Sequence, residues 1–134
     1  MCYHIFIKNN LIRVAKRLKV AVVGSRRASG YSVEQIISHL PPATSELVSG
    51  GAAGIDTMAE EAAKRLGLPI KIFYPDYQVN GRLAPLIRNS QIVEYADFVL
   101  AFWDHKSRGT ANTLNRCVQA NKPFRIISLN PPSD

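Results

Sequence analysis

Residues Lys19 to Gly24 read KVAVVG, an apolar run with no alternating polar face. A strand with one wet face alternates polar and apolar residues, whereas a strand covered on both faces does not. This run therefore needs cover on two sides, which a parallel sheet between two layers of helices provides. Further strands are expected at about 45–49, 70–74, 97–102 and 124–129.

The intervening segments carry helical signals. Ser32 and Gln35 have the spacing of a capping box, and Val33, Ile36, Ile37 and Leu40 form an apolar stripe that Pro41 and Pro42 terminate. Ile55, Met58, Ala59, Ala62, Ala63 and Leu66 make one face of a second helix, with Glu60–Lys64 and Glu61–Arg65 pairs on the other and Gly67 as its cap. Two more helices are expected at about 83–93 and 110–120. The fold class is α/β: a Rossmann-like, doubly wound, mainly parallel five-stranded sheet with helices on both faces. Numbered along the chain, the strands should take the order 3-2-1-4-5. Tyr3 to Ile7 is a candidate for an extra N-terminal edge strand. The domain reading is a basic N-terminal extension at 1–18, the Rossmann-like domain at 19–129 and a tail at 130–134.

Composition narrows the class. Hydrophobic residues make up 46% of the 134 and charged residues 20%, as in a globular domain. No apolar run approaches the roughly 20 residues that span a bilayer, and the N-terminus lacks a signal-peptide pattern. The expectation is a cytoplasmic protein with no membrane partner. His4, His39 and His105 stand apart from cysteines and carboxylates at metal-ligand spacing, so no metal site and no required cofactor are expected. Cys117 falls on an apolar helix side, and no disulfide with Cys2 is expected. The net charge is +7, and Lys8, Arg13, Lys16, Arg17, Lys19, Arg26 and Arg27 all precede the first acid, Glu34. Such a segment is either a solvated face or a meeting place for nucleic acid or another anion.

In the expected strand order, ligands bind outside the carboxyl ends of the strands at the switch point between the first and fourth. Three loops gather there. Gly24, Ser25 and Arg26 leave the first strand; the serine and arginine can donate to phosphate oxygens. Gly50, Gly51, Ala52, Gly54 and Asp56 form a small-residue turn into a helix N-terminus, where free N–H groups attract anions. Asp56 either favours the helix dipole or accepts from a ribose hydroxyl or base amine. Ser107, Gly109 and Thr110, with Lys106 and Arg108, repeat the pattern at the last helix. Trp103 is either a stacking surface for a base or a core aromatic. Arg88 and Asn89 point across the crevice or to solvent. No activated nucleophile or carboxylate pair is visible, and catalytic residues stay unassigned.

With these residues in place, the chain resembles the SLOG superfamily of Rossmann-like domains, which joins the Smf/DprA DNA-processing proteins and the LOG nucleotide phosphoribohydrolases. The resemblance rests on VAVVGSR, LVSGGAAGIDTMAEEAA, GRLAPLIRN, ADFVLAFW and SRGT. Its Gly-Arg…Arg-Asn element looks most like the YspA-like branch. It implies that Gly24, Ser25, Arg26, Gly50, Gly51, Gly54, Asp56, Arg88, Asn89, Gly109 and Thr110 line a site for a nucleotide or nucleotide-derived ligand. It also implies homo-oligomers. Two alternatives accompany this sensor or binding-module reading. One is DprA-like single-stranded DNA binding. The other is phosphoribohydrolase activity, with Asp104 or Asp56 acting, because Thr113 stands where that family carries its catalytic glutamate.

Overall fold

The computed structural model describes the backbone at 2–7 and 10–15 and the whole chain at 17–129. Cys2–Ile7 (β1) and Asn10–Ala15 (β2) pair antiparallel, Ile7 against Asn10, as a two-stranded sheet of their own. The candidate edge strand is thus a strand, but it does not join the main sheet. A neighbour two residues away closes at far lower entropy cost than a distant edge. The side chains of Cys2, His4, Lys8, Arg13 and Lys16, and the tail 130–134, lie outside the described residues.

The main sheet holds Leu18–Gly24 (β3), Thr44–Ser49 (β4), Ile70–Ile72 (β5), Phe98–Trp103 (β6) and Phe124–Ser128 (β7). Its order is β5-β4-β3-β6-β7 and every pair is parallel, the arrangement expected from the apolar runs. The central strand explains the missing polar face. Val20 and Val22 pack into one core with Ile36, Ile55, Ala59 and Phe102, while Ala21 and Val23 pack into another with Ile92, Val93, Leu114 and Cys117. Helices Val33–His39 (α1) and Ile55–Leu66 (α2) cover the first face. Helices Ala84–Tyr95 (α4) and Arg108–Gln119 (α5) cover the second.

The start of α1 carries a capping box. Gln35 N–H donates to Ser32 Oγ at 3.3 Å and Ser32 N–H to Gln35 Oε1 at 2.8 Å. Gly67 ends α2 at φ +66°, a left-handed cap that a side chain resists. Of the two expected surface pairs on α2, Glu61–Arg65 forms at 3.4 Å, and Arg65 also meets Glu34 of α1. Two features differ from the sequence expectation. β5 stops at Ile72, and a four-residue helix at Tyr77–Asn80 (α3) and a 3-10 turn at Gly81–Leu83 precede α4. These pieces are too short to establish a helical period in sequence.

Candidate functional site

The loops after β3, β4 and β6 meet at the carboxyl ends of the strands, where the sheet order reverses between β3 and β6. Ser25 ties them together. Its N–H donates to Phe102 O at 3.1 Å, its carbonyl accepts from Ile55 N–H at 3.3 Å, and its Oγ accepts from Asp104 N–H at 3.1 Å. The residue is 1% exposed. Gly24 is required by this closeness, since a Cβ there would lie 2.8 Å from Ile55 Cγ1 and fall on the Phe102 carbonyl.

The Gly50–Asp56 turn is more self-contained than its composition implies. Asp56 folds back so that Oδ2 accepts from Ala52 N–H at 3.1 Å, and Ser49 Oγ accepts from Gly51 N–H at 3.3 Å. Two of the amides expected to face an anion are therefore held internally. Gly54, at φ +77°, backs onto the Arg26 carbonyl, and Gly51, at φ +72°, lies under the ring of Tyr74. Neither reaches the cleft. Burial pushes the Asp56 carboxyl above the usual range, opposed by the Ala52 and Gly50 N–H groups and by the Arg88 charge. Arg88, from α4, donates to the Gly50 carbonyl. Burial lowers its pKa and Asp56 opposes that shift, but a guanidinium stays charged.

The third loop presents the open end of α5. Asp104 Oδ1 accepts from the N–H groups of Lys106 and Ser107, both at 2.8 Å, and these bonds hold its carboxyl below the usual range. Ser107 caps the helix and accepts from Thr110 Oγ1 at 3.2 Å. The first-turn N–H groups of Arg108 and Gly109 have no acceptor within the helix, and no atom lies within 4 Å of a Cβ placed on Gly109. Asn89, 6% exposed, connects this end to α4. Its Nδ2 donates to Asn112 Oδ1 at 3.1 Å and Gly109 O at 3.4 Å, while its Oδ1 accepts from Arg88 Nε at 3.0 Å. Asn89 thus aims Arg88 across the crevice rather than to solvent.

Together these elements enclose a cleft of about 350 Å³. Gly24, Ser25, Arg26, Gly50, Ala52, Asp56, Arg88, Asn89, Ser107, Gly109 and Thr110 line it, all singled out in the sequence. Sequence reasoning missed Arg27, Pro85, Leu86 and Ile92 as lining residues, and marked Thr113, which also lines the cleft, only through the family resemblance. Arg27 was legible only as part of a charge run, and the others come from helix faces whose direction the sequence did not fix. Trp103 resolves toward structure: its Nε1–H donates to Ser107 O at 3.0 Å and its ring packs 4.7 Å from that of His105. Thr113, 2% exposed, donates to Gly109 O at 3.1 Å, so its position holds a hydrogen-bonded hydroxyl and no carboxylate. Arg26, Arg27 and Arg88 outnumber Asp56 and Asp104 around the cleft. Among the described residues, no group of histidine, cysteine or acidic side chains could hold a metal ion. No helix there is long and apolar enough to cross a membrane.

The chain is similar in structure to the DNA processing protein A (DprA) of Streptococcus pneumoniae, with a TM-score of 0.67 and 27% identity over 87% of this chain. It spans about half of that protein, 51% of its length. The DprA of Helicobacter pylori, a protein solved for its single-stranded DNA binding mode, has the same fold at a TM-score of 0.69. There the identity is 23%, over 89% of this chain and 69% of that one. No curated protein matches the chain significantly. Residues 2–93 match the sequence profile of DNA recombination-mediator protein A, and on that match the chain belongs to the DNA recombination-mediator protein A family.

Proposed function

We propose that the chain binds single-stranded DNA, with a backbone phosphate seated in the cleft. One observation carries this reading: three arginines, two from the loop after β3 and one from α4, converge on the open N-terminal end of α5, in a chain of the DprA family. Phosphate suits such a place, because free amides and the helix dipole add to the guanidinium charges. In this reading Arg26, Arg27 and Arg88 neutralise the strand and Gly109 lets its backbone approach. Asp56 keeps the β4 loop in shape and faces the sugar or base rather than phosphate. Single-strand binding by the Helicobacter pylori relative supports the choice of polymer.

A second reading, a free nucleotide or nucleotide-derived ligand, is favoured by the size of the cleft. Its volume of about 350 Å³ falls in the range of small-molecule sites. The finer resemblance to the YspA-like branch of SLOG domains belongs with it. Hydrolysis is the weaker alternative, because Asp56 and Asp104 are each engaged with backbone N–H groups.

The test is fluorescence anisotropy with a labelled oligothymidine, competed by mononucleotides. Gly109→Val should remove binding while circular dichroism stays native, since the added side chain enters open space. Arg88→Gln should weaken binding of the oligomer at least tenfold, about 1.4 kcal/mol. Unchanged affinity in both variants would move the site elsewhere. Competition by mononucleotides at concentrations equal to those of oligomer phosphates would favour the second reading.

A further inference from the structure

The cleft provides for a phosphate and its sugar, but it has no flat aromatic wall. Pro85 and Leu86 are its apolar rim on the α4 side. Next to that rim, the segment from β5 to α4 exposes large apolar side chains. Tyr74 is 65% exposed and Tyr77 59%, and Val79 and Leu83 are also on the surface. Large apolar side chains exposed together on one short segment mark a binding surface more often than chance exposure.

Tyr74 is tied to the cleft through the β4 loop. A Cβ on Gly51 would lie 2.6 Å from Tyr74 Cε1, so the ring rests directly on that glycine. Gly50 and Ala52, on either side, line the cleft. Tyr77 opens α3, three residues further along the chain. Tyr74 therefore sits one residue from the corner where Arg88 meets Gly50, and Tyr77 is carried by the same exposed segment. The one acid of this segment, Asp76, is spent on capping α3 through Val79 N–H at 3.1 Å, and exposed Arg82 adds positive charge.

We propose that Tyr74 and Tyr77 form a stacking platform for bases next to the nucleotide whose phosphate sits in the cleft. The proposal rests on the strand-binding reading above and names the part of the strand that this second surface takes. Every base offers a π-face, so such a platform adds affinity without sequence preference. A nucleic-acid occupant fits better than a protein partner because the segment leads into the apolar rim of the arginine-lined cleft and its one acid, Asp76, is offset in charge by Arg82.

The experiment compares labelled oligothymidine with an abasic deoxyribose-phosphate oligomer of equal length. The proteins are the wild type, Tyr74→Ala, Tyr77→Ala, the corresponding Phe variants and Arg88→Gln. The wild type should prefer the base-bearing strand by about tenfold or more. The alanine variants should lose most of that preference with abasic affinity unchanged, and the phenylalanine variants should keep it. Arg88→Gln should weaken both polymers alike. Equal wild-type affinity for the two polymers, or alanine variants that keep the preference, would overturn the platform while leaving strand binding intact. Binding of neither polymer by the wild type would overturn strand binding itself, and the platform with it. Conversion of a dimer to a monomer by the alanine variants, with base preference retained, would make the patch a self-association surface and overturn the proposal.

Discussion

Glycines look alike in a sequence, and packing separates them. Gly24 has Ile55 and the Phe102 carbonyl where a side chain would go, whereas Gly109 faces open space. Gly24→Ala should cost about 1–3 kcal/mol or prevent folding. Gly109→Ala should stay within about 1 kcal/mol of wild type, and urea unfolding of the two variants checks both values. The motif Gly50 to Asp56 announced a loop near a ligand, but not that Asp56 and Ser49 would take the amides of Ala52 and Gly51. Those bonds depend on a fold-back that no spacing rule encodes. Burial of Asp56 has a further consequence for pH. Its folded pKa lies above the unfolded value, so the folded chain holds more protons in the window between them, and stability falls as pH rises through it. Asp104 acts in the opposite sense: its contribution is present above its unfolded pKa and is lost as pH falls through the depressed folded one. Asp104 is common to wild type and Asp56→Asn, so their difference isolates Asp56. The stability of wild type minus variant should decline as pH rises through and just above the ordinary carboxylate range, then level off. A flat difference would contradict the raised pKa.

At the scale of elements, the sheet was nearly all legible. Continuous apolar runs gave the strands, the need to bury both faces gave the parallel pairing, and the crossover rules gave the order. The capping box at Ser32 was legible because both partners are local. Ser32→Ala should lower stability by about 1 kcal/mol, which a thermal melt would register as a drop of a few degrees. An unchanged midpoint would mean that tertiary packing alone sets the start of α1. What escaped was the segment joining β5 to α4. α3 and the 3-10 turn are single turns held by the Asp76 cap and by contact with α4, and their apolar residues face outward. An outward-facing apolar residue carries no core periodicity, so Tyr74 and Tyr77 gave no signal as a group. Trp103 gave one, as a large aromatic at a strand end, but its N–H holds the loop that opens α5.

At the scale of the whole molecule, the doubly wound order concentrates three separate loops at the carboxyl end of the sheet, and the charge follows. Arg88 is far in sequence from the adjacent Arg26 and Arg27, yet all three line one cleft beside the open N-terminus of α5. The excess of +7 over the chain steers anions in general, while in the proposed reading the cleft is where one phosphate sits. The most direct measurement of the central claim is oligothymidine affinity across a salt series, for wild type and for a variant with Arg26, Arg27 and Arg88 changed to glutamine. Three released counterions predict a log–log slope steeper by about 2 in the wild type than in the variant. Equal slopes for the two proteins, or wild-type binding insensitive to salt, would contradict a strand seated on these arginines.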